Sequence, residues 1–309
     1  MNHYPLQMDC FPLLSTLDAA SLREWQAAAV LVEAAQGSRV VSEGEMNDAL
    51  YLVARGSVVV QKHYQQRHIE VGRVNAGELF GEWSLLSGQP VGGDVDVLQD
   101  AVFYRIPNAL VMKQYWRCPT FCHALDRVCE RHLVVSGLAL NPVFSLLPLG
   151  LRQTIFHIGD FVGFEPGAIL IAEGDHDVRF MYLLLSGEVE SWLHVPGHED
   201  ESLLVSCQGV GDMIGEIALI SGYPRIVTVR AKSACRALRL SNKDIHSLRL
   251  SNLNFSLALY QNTQCNMQRN MEVLSPRLGV EAARGFTVDR VPNFSELQEP
   301  EKQIAPLFE

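Results

Sequence analysis

Met213-Ile-Gly-Glu-Ile-Ala-Leu-Ile-Ser-Gly-Tyr-Pro-Arg-Ile-Val-Thr-Val229 places a Gly-Glu turn, a run able to form one helical turn and a single arginine within eleven residues. Gly215 lets the backbone approach a ligand, and Glu216 offers a carboxylate to a sugar hydroxyl. The run Ile217-Ala218-Leu-Ile starts a helix whose unbonded N–H groups suit an anion, and Arg225 returns a charged donor fork to the same place. Sugar and phosphate are both addressed, which is the chemistry of a phosphorylated ribose.

A second stretch repeats the pattern without its cation. Leu79-Phe-Gly-Glu-Trp-Ser-Leu-Leu-Ser-Gly-Gln-Pro-Val-Gly-Gly-Asp-Val95 keeps Gly81 and Glu82 but has Val91 at the arginine position. Further anchors pair in one order: Pro12 with Pro142, Glu43-Gly44 with Glu173-Gly174, Tyr51-Leu52 with Tyr182-Leu183, and Gly56 with Gly187. Their offsets grow from 130 to 131 and reach 134 at the Gly-Glu turns, as hairpin-loop insertions in the second copy would produce. The motif resembles the phosphate-binding cassette of cyclic-nucleotide-binding domains, as in bacterial cAMP receptor proteins and protein kinase A regulatory subunits. That pattern runs Gly-Glu-x-Ala-Leu-x, a few variable residues, then Pro-Arg-Ala-Ala. This chain matches it except that Ile226 and Val227 replace the two alanines. The resemblance spans roughly residues 12–260 and implies a mainly β fold with flanking helices, two tandem antiparallel β-rolls.

The local patterns agree. Leu13, Leu14, Leu17, Leu22, Trp25, Ala28, Ala29 and Val32 recur at helical spacing and predict a helical lead-in from Pro12 to about Gln36. Short β-rich runs follow at 39–42, 49–54, 57–62 and 69–74, and again at 168–172, 180–185, 188–195 and 202–206, separated by glycine turns. Pro196-Gly-His-Glu-Asp reads as a hairpin insertion. Helical patterns follow each roll: one over 108–140, broken near Pro119, and one capped by Ser241 and running through Ile245, Leu248, Leu253, Leu257 and Tyr260 to about Leu274. The expected organisation is a degenerate copy with its helices at 1–140, a competent copy with a lid helix at 141–275, and an irregular tail at 276–309.

Length and composition bound the function. The 309 residues suit two domains, and 48% hydrophobic content suffices for two cores. A net charge of −10 argues against nucleic acid and anionic membranes as partners. No uninterrupted apolar run of about 18 residues appears, so membrane insertion is not expected and the protein should be cytoplasmic. Seven cysteines without Cys-x-x-Cys fit a reducing compartment. Cys118, Cys122, His123, Cys129 and His132 cluster, but without a zinc spacing, and read as the packed side of a helix; no metal and no cofactor is expected.

No Walker loop, Gly-x-Ser-x-Gly, His-Glu-x-x-His or kinase motif is present, so the chain is expected not to be an enzyme. After Asn262 there is no helix-turn-helix pattern with a basic recognition face, and the residues before Pro12 hold no arginine for a kinase-inhibitor segment. The resemblance implies a ligand held by Gly215, Glu216, Ile217, Ala218, Arg225, Ile226 and Val227, with Phe255 and Tyr260 as candidate lids over the base. Cyclic GMP readers in that family often place Thr or Ser after the arginine; Ile226 cannot serve so, and cAMP is the expected ligand. The first copy, at Gly81, Glu82 and Val91, lacks the charge for a cyclic phosphate. It is expected to act as a packing or regulatory partner, with Trp83 filling its vacated site. A cAMP effector signalling to an unidentified protein partner follows. The alternatives are a ligand-independent scaffold and a regulatory subunit of an enzyme on another chain.

Overall fold

A computed structural model describes residues 11–64, 67–176, 178–195 and 198–285, with the side chains of 198–200 and 285 left aside. The chain divides into two compact units, Met1–Ala139 and Leu140–Glu309.

In the first unit a 3-10 turn (Pro12–Thr16) leads into α1 (Ala19–Ala28), whose start is capped by Asp18 accepting from the Ser21 N–H at 2.7 Å. The expected lead-in helix ends there. Val30, Leu31 and Val32 begin β1 (Val30–Ala34), because β-branched residues pair well across a sheet, here Val32 opposite Phe103. The chain continues as β2 (Arg39–Val41), β3 (Ala49–Tyr64), β4 (Arg67–Asn75), β5 (Leu79–Phe80), α2 (Glu82–Ser87), β6 (Asp94–Pro107), α3 (Asn108–Arg117) and α4 (Pro119–Leu140). The strands form one antiparallel sheet in the order β1-β6-β3-β4, with β2 on β6 and β5 on β3. The two runs read as separate strands at 49–54 and 57–62 are one long strand. Gly56 makes this possible: at φ +79°, a Cβ there would sit 2.3 Å from the Asp100 carbonyl oxygen. The sheet curls so that its concave face closes on Tyr51, Val58, Phe80, Val97 and Phe103. Its other face meets the helices through Trp25, Leu50, Leu52, Ile106, Phe121 and Leu125, with the rings of Trp25 and Phe121 edge-on at 5.5 Å.

The second unit repeats the order: α5 (Leu149–Ile158), β7 (Asp160–Phe164), β8 (Ile169–Ile171), β9 (Phe180–Ser186), β10 (Val189–Val195), β11 (His198–Gln208), β12 (Met213–Ile214), α6 (Glu216–Ser221), β13 (Thr228–Ala231) and β14 (Cys235–Ser241). Its strands pair as two four-stranded antiparallel sheets, β11-β10-β13-β8 and β12-β9-β14-β7. Ser241 caps α7 (Asn242–Ser251) by accepting from the Asp244 N–H, and Asn252 caps α8 (Leu253–Leu278) in the same way at Phe255. Residues 276–285, expected to open an irregular tail, are helical: α8 runs through Pro276, and α9 (Val280–Gly285) follows a turn at Gly279. The rest of that tail, residues 1–10 and the insertion tip at Pro196-Gly197 lie outside the described residues. No helix among the described residues is long and apolar enough to cross a membrane.

Candidate nucleotide site

In the second unit the short pairing of Met213 with Leu183 and Ile214 with Tyr182 delivers Gly215 to the roll wall. Gly215, at φ +85°, turns the chain into α6, and a Cβ there would meet Arg225 Nη1 at 2.6 Å and Ile171 Cδ1 at 2.7 Å. Glycine is therefore what lets the guanidinium come in. Arg225 is only 5% exposed. Its Nη1 donates to the Gly215 carbonyl at 2.6 Å and its Nη2 to the Phe180 carbonyl. The Glu173-Gly174 turn braces it from behind: Arg225 N–H donates to Asp175 O, and the Gly174 N–H donates to Arg225 O, both at 2.9 Å.

Glu216 is 4% exposed, and its Oε1 accepts from Asn266 Nδ2, on α8, at 2.8 Å. Burial pushes its carboxyl above the usual carboxylate range, with the Asn266 hydrogen bond and the Arg225 charge pulling the other way. Ala218 is buried, and Ile217 and Ile226 are half-buried. Val227 joins two apolar clusters: Ile171, Ile214 and Val229 on one side, and Leu193, Leu203, Val205, Leu274 and Ala283 on the other. The end of α8 and α9 thus reach the same wall as Val227. Phe255 lies elsewhere, fully buried against Phe144 with ring centroids 5.4 Å apart, and the buried Tyr260 accepts from Gln264 through its hydroxyl. Asn266 is eleven residues beyond Phe255, about 16 Å along a helix. From α8, Asn266 meets Glu216, and Leu274, with Met271 and Leu278, joins the cluster that holds Val227.

The first unit keeps the frame. Gly81, at φ +92°, turns into α2, and the backbone of Val91 is held like that of Arg225, donating to Glu45 O and accepting from the Gly44 N–H, both at 2.8 Å. The guanidinium's place is taken by Asn47, whose Nδ2 donates to Ala49 O at 2.6 Å and Gly81 O at 3.1 Å. By the Tyr51–Tyr182 and Gly81–Gly215 pairing, these carbonyls correspond to those Arg225 holds, Phe180 O and Gly215 O. Trp83, expected to fill this space, is half-buried on α2. Glu82, almost fully buried, meets His132 of α4 at 2.9 Å. Burial draws the His132 pKa down, but the charge and hydrogen bond of Glu82 outweigh it and leave it above the ordinary value. Of the clustered cysteines, Cys118 contacts Thr120 and Cys122 donates to Asp126, while His132 is committed to Glu82.

Sequence reasoning missed Asn47 and Asn266. Asn47 carries an Asx-turn signal, since its Oδ1 accepts from the N–H two residues on. Asn266 is polar where α8 turns a packed side inward, between buried Thr263 and Met267.

A profile of the cyclic nucleotide-binding domain matches residues 31–115 and 161–252. The cAMP-dependent protein kinase regulatory subunit of Yarrowia lipolytica is 26% identical over 213 residues, covering 69% of this chain and 52% of that protein. The subunit of the same name from Emericella nidulans is 30% identical over 217 residues, covering 67% and 49%. The chain therefore spans about half the length of these relatives. Among solved structures, the regulatory domain of Toxoplasma gondii PKA with cAMP aligns over 82% of this chain and 92% of that one, at 21% identity and a TM-score of 0.40.

Proposed function

The chain belongs to the cyclic nucleotide-binding domain family, and on that premise we propose that it is a non-catalytic receptor that binds cAMP in its second unit and passes the change to a partner chain. The observation that carries this reading is the contrast between Asn47 and Arg225. Tying two neighbouring carbonyls together needs only an amide, as the first unit demonstrates. The second unit does the same with a guanidinium held in a wall where burying a charge is costly. A guanidinium at this place, where an amide suffices in the first unit, suits an anionic ligand.

Binding then exchanges internal contacts for external ones. The cyclic phosphate takes donors of Arg225, a ribose hydroxyl replaces Asn266 on Glu216, and the base settles against Val227 where the end of α8 and α9 now pack. Displacement of α8 is the signal. Ile226 has no hydroxyl for a guanine amino group, which favours cAMP over cGMP. The partner we infer is a protein kinase catalytic chain, because relatives at 26% and 30% identity are named as regulatory subunits of such a kinase.

Calorimetry with cAMP, cGMP and cyclic dinucleotides tests the reading. One cAMP per chain is expected, with a matching rise in melting temperature. Two equivalent sites, or neither heat nor thermal shift at millimolar ligand, overturn it.

A further inference from the structure

Both units contain a carboxylate-imidazole pair on the roll. His63 bonds Glu43 Oε2 through its N–H at 3.0 Å and its ring Nδ1 at 2.9 Å, and His194 does the same to Glu173 at 2.9 and 2.7 Å. Around this shared pair the first unit adds two donors. Strand β4 sets His68 directly opposite His63, with ring centroids 3.9 Å apart. Where Thr228 accepts from the Glu173 N–H in the second unit, Asp94 accepts from the Glu43 N–H at 2.8 Å in the first. A ring nitrogen of each histidine and a carboxylate oxygen of Asp94 all lie within 4.8 Å of one another.

We propose that His63, His68 and Asp94 form a binding site for a transition-metal dication of the zinc type. Three adjacent strands, β4, β3 and β6, each supply one donor, so the sheet itself fixes the spacing. Zinc bonds of about 2.0–2.2 Å put tetrahedral ligands roughly 3.3 Å apart, a closure that side-chain rotation supplies. Glu43 accepts the Nδ1 proton of His63, orients the ring and leaves Nε2 basic, the usual outer-shell role of a carboxylate. Two imidazole donors favour zinc, nickel or copper over magnesium or calcium. The charge balance also suits a dication. Arg39 donates two hydrogen bonds to Asp96, at 2.8 and 3.1 Å, and stands 2.8 Å from Asp94 Oδ2. That oxygen is buried and makes no aligned hydrogen bond. Glu43, Asp94 and Asp96 therefore outnumber Arg39 and the nearby Lys62.

The test is zinc chloride titrated calorimetrically into the chelator-stripped full chain. About one micromolar site is expected, weakened at least ~10-fold in His68→Ala and in His63→Ala, unchanged in His194→Ala, and not reproduced by magnesium chloride. His68 is exposed, so its loss should leave the metal-free melting temperature at the parental value; His68→Gln repeats the measurement with a side chain of similar size. Cobalt(II) in place of zinc should give a spectrum without thiolate charge transfer. Unaltered zinc affinity in both His68 variants, a cobalt spectrum dominated by thiolate, or no zinc heat in the parent overturns the proposal.

Discussion

Replacing Asn266 with alanine should tighten cAMP binding while weakening the nucleotide-free fold. In the empty site Asn266 Nδ2 lies 2.8 Å from Oε1 of a glutamate that is 4% exposed, so it is the donor that compensates a buried carboxylate. A hydrogen bond to a charged group is worth roughly 1.5–3 kcal/mol, and its loss falls wholly on the unliganded state if a ribose hydroxyl replaces it in the complex. The same free energy must then reappear as affinity, about 10- to 150-fold in Kd. It must also appear as a fall of roughly 3–10 °C in the melting temperature of the ligand-free protein. Equilibrium titration with a fluorescent cAMP analogue and thermal unfolding of the same samples measure the two sides of this cycle. An Asn266→Ala protein that is folded, less stable and binds cAMP no better than the parent refutes the displacement argument.

Arg225→Ala removes both the phosphate donor and the tie between Gly215 O and Phe180 O. It should lose about 2–4 kcal/mol of cAMP affinity and about 1–3 kcal/mol of stability, and parental binding by calorimetry contradicts the site. Glu216→Gln should separate the two effects. Burial raises the folded carboxyl's pKa, so that group's stabilising contribution is complete below the unfolded value and is lost as pH rises through the folded one. At neutral pH the glutamine variant should therefore melt higher than the parent yet bind cAMP more weakly, with the melting gap closing in acid; a pH-independent gap is the contrary result. His132, raised by Glu82 against the pull of burial, stabilises the first unit fully below its unfolded pKa of about 6.5 and loses this as pH rises through its folded value. His132→Gln should flatten the pH dependence of stability above that point, as thermal melts from pH 5 to 9 will show.

The frame of the fold was legible because it depends on backbone conformations that few residues adopt. Gly56 and Gly187 each sit where a Cβ would come within 2.4 Å of a carbonyl oxygen, and Gly81 and Gly215 each start a helix from positive φ. Such positions leave glycine in both copies and fix their register. Element lengths were less legible. Asp94–Pro107 forms a strand whose inward Val95, Val97 and Phe103 are spaced out by acidic and polar residues, and propensity alone gave it no clear outline. The cassette residues were readable as chemistry, but their partners were not. Asn47 and Asn266 act across 34 and 50 residues respectively, and an asparagine carries no mark of which distant group it will meet. Phe255 and Tyr260 suggested lids through their aromatic character, yet aromatic rings on a helix that packs a core serve burial first.

The two copies distribute one basic group and one amide over the same pair of positions in opposite order. Each cassette glutamate is met by a residue fifty positions later: His132 in the first unit and Asn266 in the second. Each pair of wall carbonyls is met by the other kind of group, Asn47 in the first unit and Arg225 in the second. In the first unit the basic group lies on the glutamate, in an internal pair that a sugar hydroxyl would have to displace; in the second it lies on the wall, where a phosphate can use it. Val91→Arg should consequently fail to create a second cAMP site. The new guanidinium would find its carbonyls already bonded to Asn47, and Glu82 would remain paired with His132. Calorimetry on this variant should still give one cAMP per chain. A second site arising from that single change would mean that the missing arginine alone, and not this exchange of basic group and amide, silences the first unit.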